Sequence, residues 1–375
     1  MNKLLADALN LNELKNFSNR VDNEIANAIS NITSQAKKYK NNTFASQTGF
    51  VAEEVHIGSF NINSAFKRSS LKAVKEKNGC HGDYKILKGK KVVAKGEFKH
   101  YNTAEQTENA MRGYDNRDLI GPKDQVEDIK KIARKKYLKN KTTRPKVAKE
   151  HKIVEKKVKN SIKKENVSSK AKTLKEQRKI TKKAVKGKVE AKDILPDFKD
   201  SLAGSIKSGA IEGAKTGATI GGLFSATSNI LEVSNGKKEM KEALIDTTKD
   251  IAISAVDSGI KNAVGSAAKT SGIYLAEKVA NETAKKVLKS SAPAILAFSA
   301  VDIAKETYKY ANDEIDGEEL AKQSAKSVVT GVSAWAGAEA GAVAGATIAG
   351  PVGAAVGGVV GAIVASISVD SLFDW

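Results

Sequence analysis

The sequence predicts an α+β protein with a small N-terminal α/β domain, a long basic helical segment and a C-terminal all-α domain. Three observations lead to this fold class. A β-hairpin pattern runs from residue 82 to residue 101, most of the excess positive charge lies between residues 121 and 200, and glycine recurs at four-residue intervals after residue 201. At 375 residues the chain is long enough for two or three domains.

Net charge and cysteine content indicate which partners and which kinds of site this protein can have. The formal net charge of +20 predicts a polyanionic partner, either nucleic acid or an anionic membrane surface. The single cysteine, Cys80, excludes a disulfide framework within the chain, and Cys80, His81 and His100 are too few ligands for a metal site. Residues 1–20 lack the apolar core of a secretory signal, so we expect a cytoplasmic protein, alone or attached to a membrane.

Residues 1–45 form the first predicted segment, a helical arm. Apolar side chains at three- and four-residue spacing predict a helix from residue 2 to about residue 38. This helix either packs onto the domain that follows or serves as an arm that binds a partner.

Residues 46–120 are predicted to form the small α/β domain. A helix is expected to begin near Gly49, and Glu53 and His56 would share one of its faces. The stretch 60–63 suggests a break, followed by a second short helix that ends near Lys75. His56 has two interpretations, a residue that faces a metal site or a structural histidine within the core.

The hairpin follows this helical region. Asp83 begins the first strand, Gly89 lies in the turn, and the second strand runs over residues 92–101. Because side chains alternate along a strand, Glu97 and Lys99 should emerge on one face, and strand pairing should bring Asp83 close to Glu97. Two carboxylates can hold a hard cation such as Mg²⁺ or Mn²⁺, while the ammonium group stabilises charge on a phosphate.

Asp83 followed by Glu97-Phe98-Lys99 resembles the PD-(D/E)XK nuclease superfamily, over roughly residues 45–130. The resemblance implies a restriction-endonuclease-like fold and metal-dependent hydrolysis of nucleic acid. It also implies a further acid on the helix before the first strand, which Glu53 or Glu54 would supply. One departure is that glycine, not proline, precedes Asp83.

A polar helix is predicted after the hairpin, from residue 102 to residue 114, with Thr103 as its N-cap. The resemblance implies that a residue on this helix, here Gln106, orients water or phosphate. The resulting set of candidate catalytic residues is Glu53, Asp83, Glu97, Lys99 and Gln106, and the candidate metal ligands are Asp83, Glu97 and Glu53.

Residues 121–200 differ sharply in composition from the rest of the chain. They contain 28 lysines and arginines against 11 acidic residues, a net charge of +17, with few aromatics and weak apolar periodicity. Either one long exposed helix or a partly disordered linker is expected here. Lysine-rich segments of this kind bind phosphates without reading sequence, which favours nucleic acid, with DNA as the first expectation.

Residues 201–375 are predicted to form a helical domain with glycine zippers. Glycine recurs every fourth residue at 209–221, 337–345 and 353–361, a spacing that lets a second helix approach closely and favours a homo-oligomer. Amphipathic helices are expected at 240–255, 274–287, 293–310 and 320–329, with glycines between them. Asp302 and Glu306 form an i, i+4 acidic pair, and Glu306 and Lys309 are interpreted as helix-surface charges.

The uncharged run 340–369 leaves three alternatives open for the segment 334–369. It is long enough to cross a bilayer once, but Pro351 also allows a hairpin of two short arms. Its alanine and glycine content makes insertion weak. The segment therefore associates with a membrane, packs within a soluble helical domain, or mediates self-assembly.

Together these features predict a metal-dependent nuclease that is tethered, delivered or oligomerised by its glycine-zipper tail. This layout resembles that of bacterial toxins, mobile-element proteins and phage-defence effectors, an analogy only. Two alternatives remain. One is a membrane-active or scaffolding protein that binds anionic surfaces, and the other is a nucleic-acid binder without catalysis.

Overall fold

The structure is a computed structural model that describes residues 2–76, 82–234, 237–279, 282–290 and 292–312, with isolated positions from 314 to 333. It divides into two compact units. One unit comprises residues 20–201, and the other comprises residues 1–19 with 202–375. The predicted boundaries at residues 45 and 120 fall inside the first unit, while the boundary at residue 200 lies next to its end.

The described helices and strands alternate in the first unit, and helices alone follow residue 201. The helices are α1 (Asn2–Lys38), α2 (Phe44–Phe66), α3 (Ala104–Ala110), α4 (Val126–Asn140), α5 (Pro145–Lys157), α6 (Leu174–Val185), α7 (Ala191–Ile194), α8 (Phe198–Ser234), α9 (Met240–Ala276), α10 (Glu282–Lys289) and α11 (Ala292–Ala311). The strands are β1 (Leu71–Lys75), β2 (Tyr84–Lys88), β3 (Lys91–Phe98), β4 (Asp118–Ile120), β5 (Val158–Lys159), β6 (Lys163–Lys164) and β7 (Val167–Ser168). The expectation of an α+β protein is confirmed at this level.

Five strands form one mixed sheet in the order β1-β2-β3-β4-β5. The pairs β1–β2 and β2–β3 are antiparallel, whereas β3–β4 and β4–β5 are parallel. The predicted hairpin is present as β2 and β3, and Gly89 adopts a φ of 60° in its turn, a conformation that favours glycine. Strands β6 and β7 pair separately as a short antiparallel ribbon.

Helices cover both faces of the sheet. Ile120 on β4 belongs to the core cluster that contains Ile57 and Phe60 of α2. Its neighbour Leu119 belongs to a second cluster, with Ile129 of α4. Because successive strand residues point to opposite faces, α2 lies on one face of the sheet and α4 on the other.

Helix α2 is longer than the sequence pattern predicts. It begins at Phe44, where the Thr43 side chain accepts a hydrogen bond from the Ser46 N–H, and it continues to Phe66 without the predicted break at 60–63. The predicted second helix is wrong, since Leu71–Lys75 is strand β1.

Asn61 explains this difference. Its side chain accepts a hydrogen bond from the Ala73 N–H at 2.8 Å and donates one to the Ala73 carbonyl at 3.0 Å. An asparagine that competes with the local backbone disfavours a helix, but this one is fully engaged by β1. The polar side chain of Asn61 therefore binds strand β1 to helix α2, and the helix continues past it.

The basic segment is neither one exposed helix nor a linker, and both expectations for residues 121–200 are wrong. It folds as four helices and three short strands, of which β5 extends the sheet. Many of its sparse apolar residues are buried, among them Val154, Ile162 and Val167, while Leu138 and Val185 are exposed. The apolar periodicity is weak because the helices and strands of this segment are short, and each contributes only a few residues to the core.

A buried charged cluster joins α3 to α4 and α5. Glu108 is fully buried, accepts a hydrogen bond from His151 Nδ1 and lies 3.0 Å from Lys136 Nζ. The neighbouring Glu105, on the exposed side of α3, contacts the same lysine at 3.2 Å. The predicted polar helix and its Thr103 cap are confirmed, although the helix ends at Ala110.

In the second unit, glycines of α8 lie against the backbone of α9. A Cβ atom at Gly209, Gly213 or Gly217 would approach a carbonyl oxygen of α9 to between 2.0 and 2.6 Å. A helix is present over residues 240–255, as predicted, but its predicted end is wrong. Helix α9 continues without a break to Ala276 and contains several glycines. These glycines persist within a helix because close neighbours fill the space around them.

Asp302, the first member of the acidic pair on α11, is buried against α9. Asp302 is 6% exposed and lies 3.0 Å from Lys261 Nζ, which is fully buried on α9. Glu306 does pair with Lys309 along its own helix, at 3.1 Å. The predicted segment 334–369 lies outside the described residues, and none of the described helices is long and apolar enough to cross a membrane.

Replacing Gly217 by alanine should destabilise the second unit. The new methyl would lie 2.0 Å from the Ser254 carbonyl oxygen, so α8 and α9 must separate, at a cost of about 1–3 kcal/mol in the free energy of unfolding. Gly49 of α2 is the control, because a methyl added there would have no atom within 4 Å. Urea denaturation of G49A should show no loss, and equal destabilisation of both variants would contradict the close approach.

Removing the Glu108 carboxylate should also destabilise the protein, because His151 and Lys136 would lose their buried partner. We expect Glu108→Ala to lower the free energy of unfolding by about 3–5 kcal/mol. The exposed Glu105→Ala should cost less than about 1 kcal/mol, although it contacts the same lysine. Thermal denaturation of the two variants measures the difference, and similar losses would refute a structural role for Glu108.

Candidate active site

Strand pairing fixes Asp83 beside the end of β3. The Asp83 N–H donates a hydrogen bond to the Gly96 carbonyl at 3.1 Å, and Asp83 Oδ2 accepts one from the Phe98 N–H at 2.8 Å. These two contacts hold the carboxylate next to Glu97, as the alternation of the hairpin predicts. The other carboxylate oxygen of Asp83 does not take part in these two hydrogen bonds.

Glu97 and Lys99 form an ion pair on one face of the strand end. Glu97 is only 3% exposed, and its Oε1 atom contacts Lys99 Nζ. Its Oε2 atom is buried and has no well-formed hydrogen bond among the described residues, although the Tyr114 side chain lies close enough to act on the carboxylate as a hydrogen-bond partner. The Lys99 ammonium also lies 4.9 Å from the centre of the Tyr114 ring. A buried carboxylate oxygen without a well-formed hydrogen bond is the feature of this site that most needs an explanation.

Helix α2 supplies the further acid. Lys75 Nζ lies 2.7 Å from Glu53 Oε2 and 3.6 Å from Glu54 Oε1. Only Glu53 lines the neighbouring cavity, and the charge of Asp83 acts on Glu53. Of the two residues that the sequence leaves open, Glu53 therefore lies nearer the rest of the cluster.

Burial and mutual repulsion perturb the titration of these groups. Burial raises the pKa of Glu53 from 4.5 to about 7; Lys75 opposes the shift, and Asp83 and Glu54 add to it. Burial also raises the pKa of Glu97 and Asp83 adds to the shift, while Lys99 and the Tyr114 side chain oppose it. Burial tends to lower the pKa of Lys99, but Glu97 and Asp83 outweigh it and the pKa is raised. The ammonium therefore stays charged beside acids that resist ionisation.

A cavity of about 380 Å³ opens beside this cluster. Three candidate residues line it, namely Glu53 from α2, Lys99 from the end of β3 and Gln106 from α3. Asp83 and Glu97 do not line the cavity, but their charges act on Lys99, and that of Asp83 acts on Glu53, at the cavity wall. The structure thus divides the predicted set into two layers.

His56 does not face the cavity, so its interpretation as a metal-facing residue is wrong. It is fully buried, shares a hydrogen bond of 2.9 Å with Ser169 Oγ, and stacks on Phe98 with ring centres 5.4 Å apart. Burial holds the pKa of His56 well below its usual range. Burial and then Lys99 lower the pKa of His100 to about 4, so both rings are neutral at physiological pH.

Sequence reasoning missed two residues of the site. The sequence pattern places Lys75 in a helix, although Leu71 and Ala73 are the buried positions of an alternating strand. Tyr114 carries no motif, and only the folding of the loop after α3 brings it to Lys99. Cys80 and His81 lie outside the described residues.

The donor set fits a weakly enclosed hard cation. Within the described residues, no three His, Cys, Asp or Glu side chains form a ready metal cage. Magnesium, however, commonly takes only one or two carboxylates and completes its shell with water and substrate phosphate. The buried Glu97 Oε2, which lacks a well-formed hydrogen bond, is consistent with such a site together with Asp83.

No protein-family model, curated protein or solved structure matches this chain.

The raised pKa of Glu53 can be measured directly. Carboxyl carbon NMR should give a pKa near 7 in the wild type and a higher one in Lys75→Met, which removes the opposing charge. Because the folded state holds the Glu53 proton more tightly, stability should fall as the pH rises from about 4.5 to about 7. Glu53→Gln should flatten that decline in urea titrations, and a normal pKa in the wild type would contradict the described burial.

Proposed function

We propose that this protein is a metal-dependent nuclease that hydrolyses phosphodiester bonds of nucleic acid. One observation carries the proposal. The buried carboxylate of Glu97 has an oxygen without a well-formed hydrogen bond, is acted on by the charge of Asp83, and contacts the ammonium group of Lys99, which lines a cavity. The order of the elements, an acid-bearing helix, the hairpin and then a polar helix, agrees with the resemblance of Asp83 and residues 97–99 to PD-(D/E)XK nucleases.

Asp83 and Glu97 would hold Mg²⁺ or Mn²⁺. A bound cation of this kind neutralises charge and polarises the phosphate group. Both carboxylates would be more stable beside a cation, because burial and their mutual repulsion raise the pKa of Glu97.

Lys99 would stabilise the negative charge that builds up on the phosphate oxygens in the transition state. Its charge is secure, since neighbouring carboxylates raise its pKa, and it reaches the cavity wall. Hydrolysis requires that a phosphorus–oxygen bond forms to water and another breaks to the leaving strand.

Glu53 is suited to take the proton from the attacking water. A general base works best when its pKa is near the operating pH, and that of Glu53 is about 7. Lys75, 2.7 Å away, keeps part of the population ionised at neutral pH. Gln106 lines the same cavity and would orient the water or the phosphate through its side-chain amide.

The proposal predicts cleavage of labelled DNA or RNA by the purified full chain with Mg²⁺ or Mn²⁺, and none with EDTA. Asp83→Asn, Glu97→Gln and Lys99→Ala should each reduce the cleavage rate by on the order of 100-fold or more. Lys91→Ala is the control, because Lys91 is exposed at the other end of β3.

Supercoiled plasmid, single-stranded DNA and RNA should all be offered as substrates. Full activity in the Asp83 and Lys99 variants would refute this site, as would wild-type cleavage that EDTA leaves unchanged. Binding without cleavage under any metal would favour a non-catalytic nucleic-acid binder.

A further inference from the structure

A strip of positive charge lies beside the cavity. Helix α6 begins at a capping box, in which Thr173 and Glu176 exchange hydrogen bonds. Lys175, Lys179 and Lys182 follow at four- and three-residue spacing, so they share one face, and all three are exposed. We call these three lysines the α6 strip.

One direct contact connects α6 to the cavity rim. Arg178, which lies on α6 between two lysines of the strip, donates a hydrogen bond of 2.7 Å to Asn102 Oδ1. Asn102 itself lines the cavity. The strip therefore continues outward from the opening through which a substrate would reach Lys99 and Glu53.

The lysines of the α6 strip form no ion pair with the described residues, although Asp124 and Glu176 line the same surface cavity as the strip. Among the described residues, no carboxylate lies within ion-pair distance of Lys175, Lys179 or Lys182, whereas Lys183 on the adjacent face pairs with Glu190 and Asp193. Glu176, the acid within the helix, is held by the capping box at its start. Unpaired lysines in a row attract phosphate groups and release counterions on binding.

Two exposed aromatic rings lie at the same opening. Phe44 is 40% exposed and Tyr101 is 47% exposed. Tyr101 lines the cavity, and the residues on either side of Phe44, Thr43 and Ala45, line it too. Lys182 of the strip lies 5.9 Å from the centre of the Phe44 ring, so charge and ring are neighbours.

This combination distinguishes between forms of nucleic acid. Proteins that hold single strands pair a basic surface with exposed aromatic rings on which unpaired bases stack. A duplex keeps its base faces inside the helix and would leave Phe44 and Tyr101 without a stacking partner. A protein that contacts only the phosphates of a duplex needs positively charged side chains but no exposed aromatic rings.

We infer that the site takes an unpaired nucleic-acid strand, whose bases stack on Phe44 and Tyr101 and whose phosphates lie along the α6 strip. The inference rests on the proposed function for the identity of the site that the strand enters. It adds the substrate class, single-stranded over double-stranded nucleic acid.

Fluorescence anisotropy with the full-length protein tests this inference without cleavage. A labelled oligothymidylate, which cannot pair with itself, and a duplex of equal length should be titrated in EDTA. We expect tighter binding of the single strand, and Phe44→Leu or Tyr101→Ala should weaken it by roughly ten-fold while changing duplex binding little. Tyr101→Phe keeps the ring, so it should bind like the wild type and controls for misfolding.

The α6 strip has a matched control on α4. The double variant Lys175→Ala/Lys179→Ala should lower the slope of log affinity against log salt by about 1.4 for the single strand. The double variant Lys135→Ala/Lys139→Ala removes two exposed lysines of α4 and should change the slope less.

Three outcomes would overturn the inference: preference for the duplex, single-strand affinity that survives loss of both rings, or equal salt slopes for the two double variants. The nuclease proposal can fail separately. If Phe44 and Tyr101 control strand binding but no metal supports cleavage, the nuclease proposal is refuted and the strand-binding site stands.

Discussion

The burial of helix α2 is the constraint on which the first unit depends. Every residue from Val51 to Phe66 is buried, so each polar side chain on this part of the helix requires a partner from another element. Asn61 binds the backbone of β1, Asn63 donates to the Ser168 carbonyl at 2.9 Å, and the Ser59 hydroxyl accepts from the Lys170 N–H. The sheet and the basic segment are thereby held to one helix, and the same helix carries Glu53 to the cavity.

The candidate site follows from that arrangement. Because α2 is buried, Glu53 enters a poorly solvated environment beside Asp83, and its carboxyl group retains a proton to about pH 7. Lys75 and Lys99 offset part of the repulsion among the acids without removing it. Carboxylates this close together destabilise a protein when no ligand neutralises them. Perturbed acids of this kind are typical of sites that bind a ligand or carry out catalysis.

The basic segment shows how composition misleads when it is considered alone. With 28 lysines and arginines, residues 121–200 match the profile of a solvated helix or a linker. Yet β5 completes the sheet, and His151 anchors the buried Glu108 of α3. A lysine-rich segment can fold in this way because the lysine charges lie at the surface, while a few apolar residues in each helix or strand form the core. The same surface leaves the α6 strip available beside the cavity.

The sequence by itself determined the features that depend on neighbouring residues. These are the hairpin with its turn at Gly89, the cap at Thr103, and the pairing of Asp83 with the Glu97 strand. Local periodicity and turn chemistry are sufficient to specify such features. Tertiary structure alone decided the burial of His56 and the position of Glu53, not Glu54, at the cavity wall. Both depend on contacts between residues distant in the chain. The strand at Lys75 left a weak local signal, the alternation of Leu71 and Ala73, but its pairing with β2 fixed it.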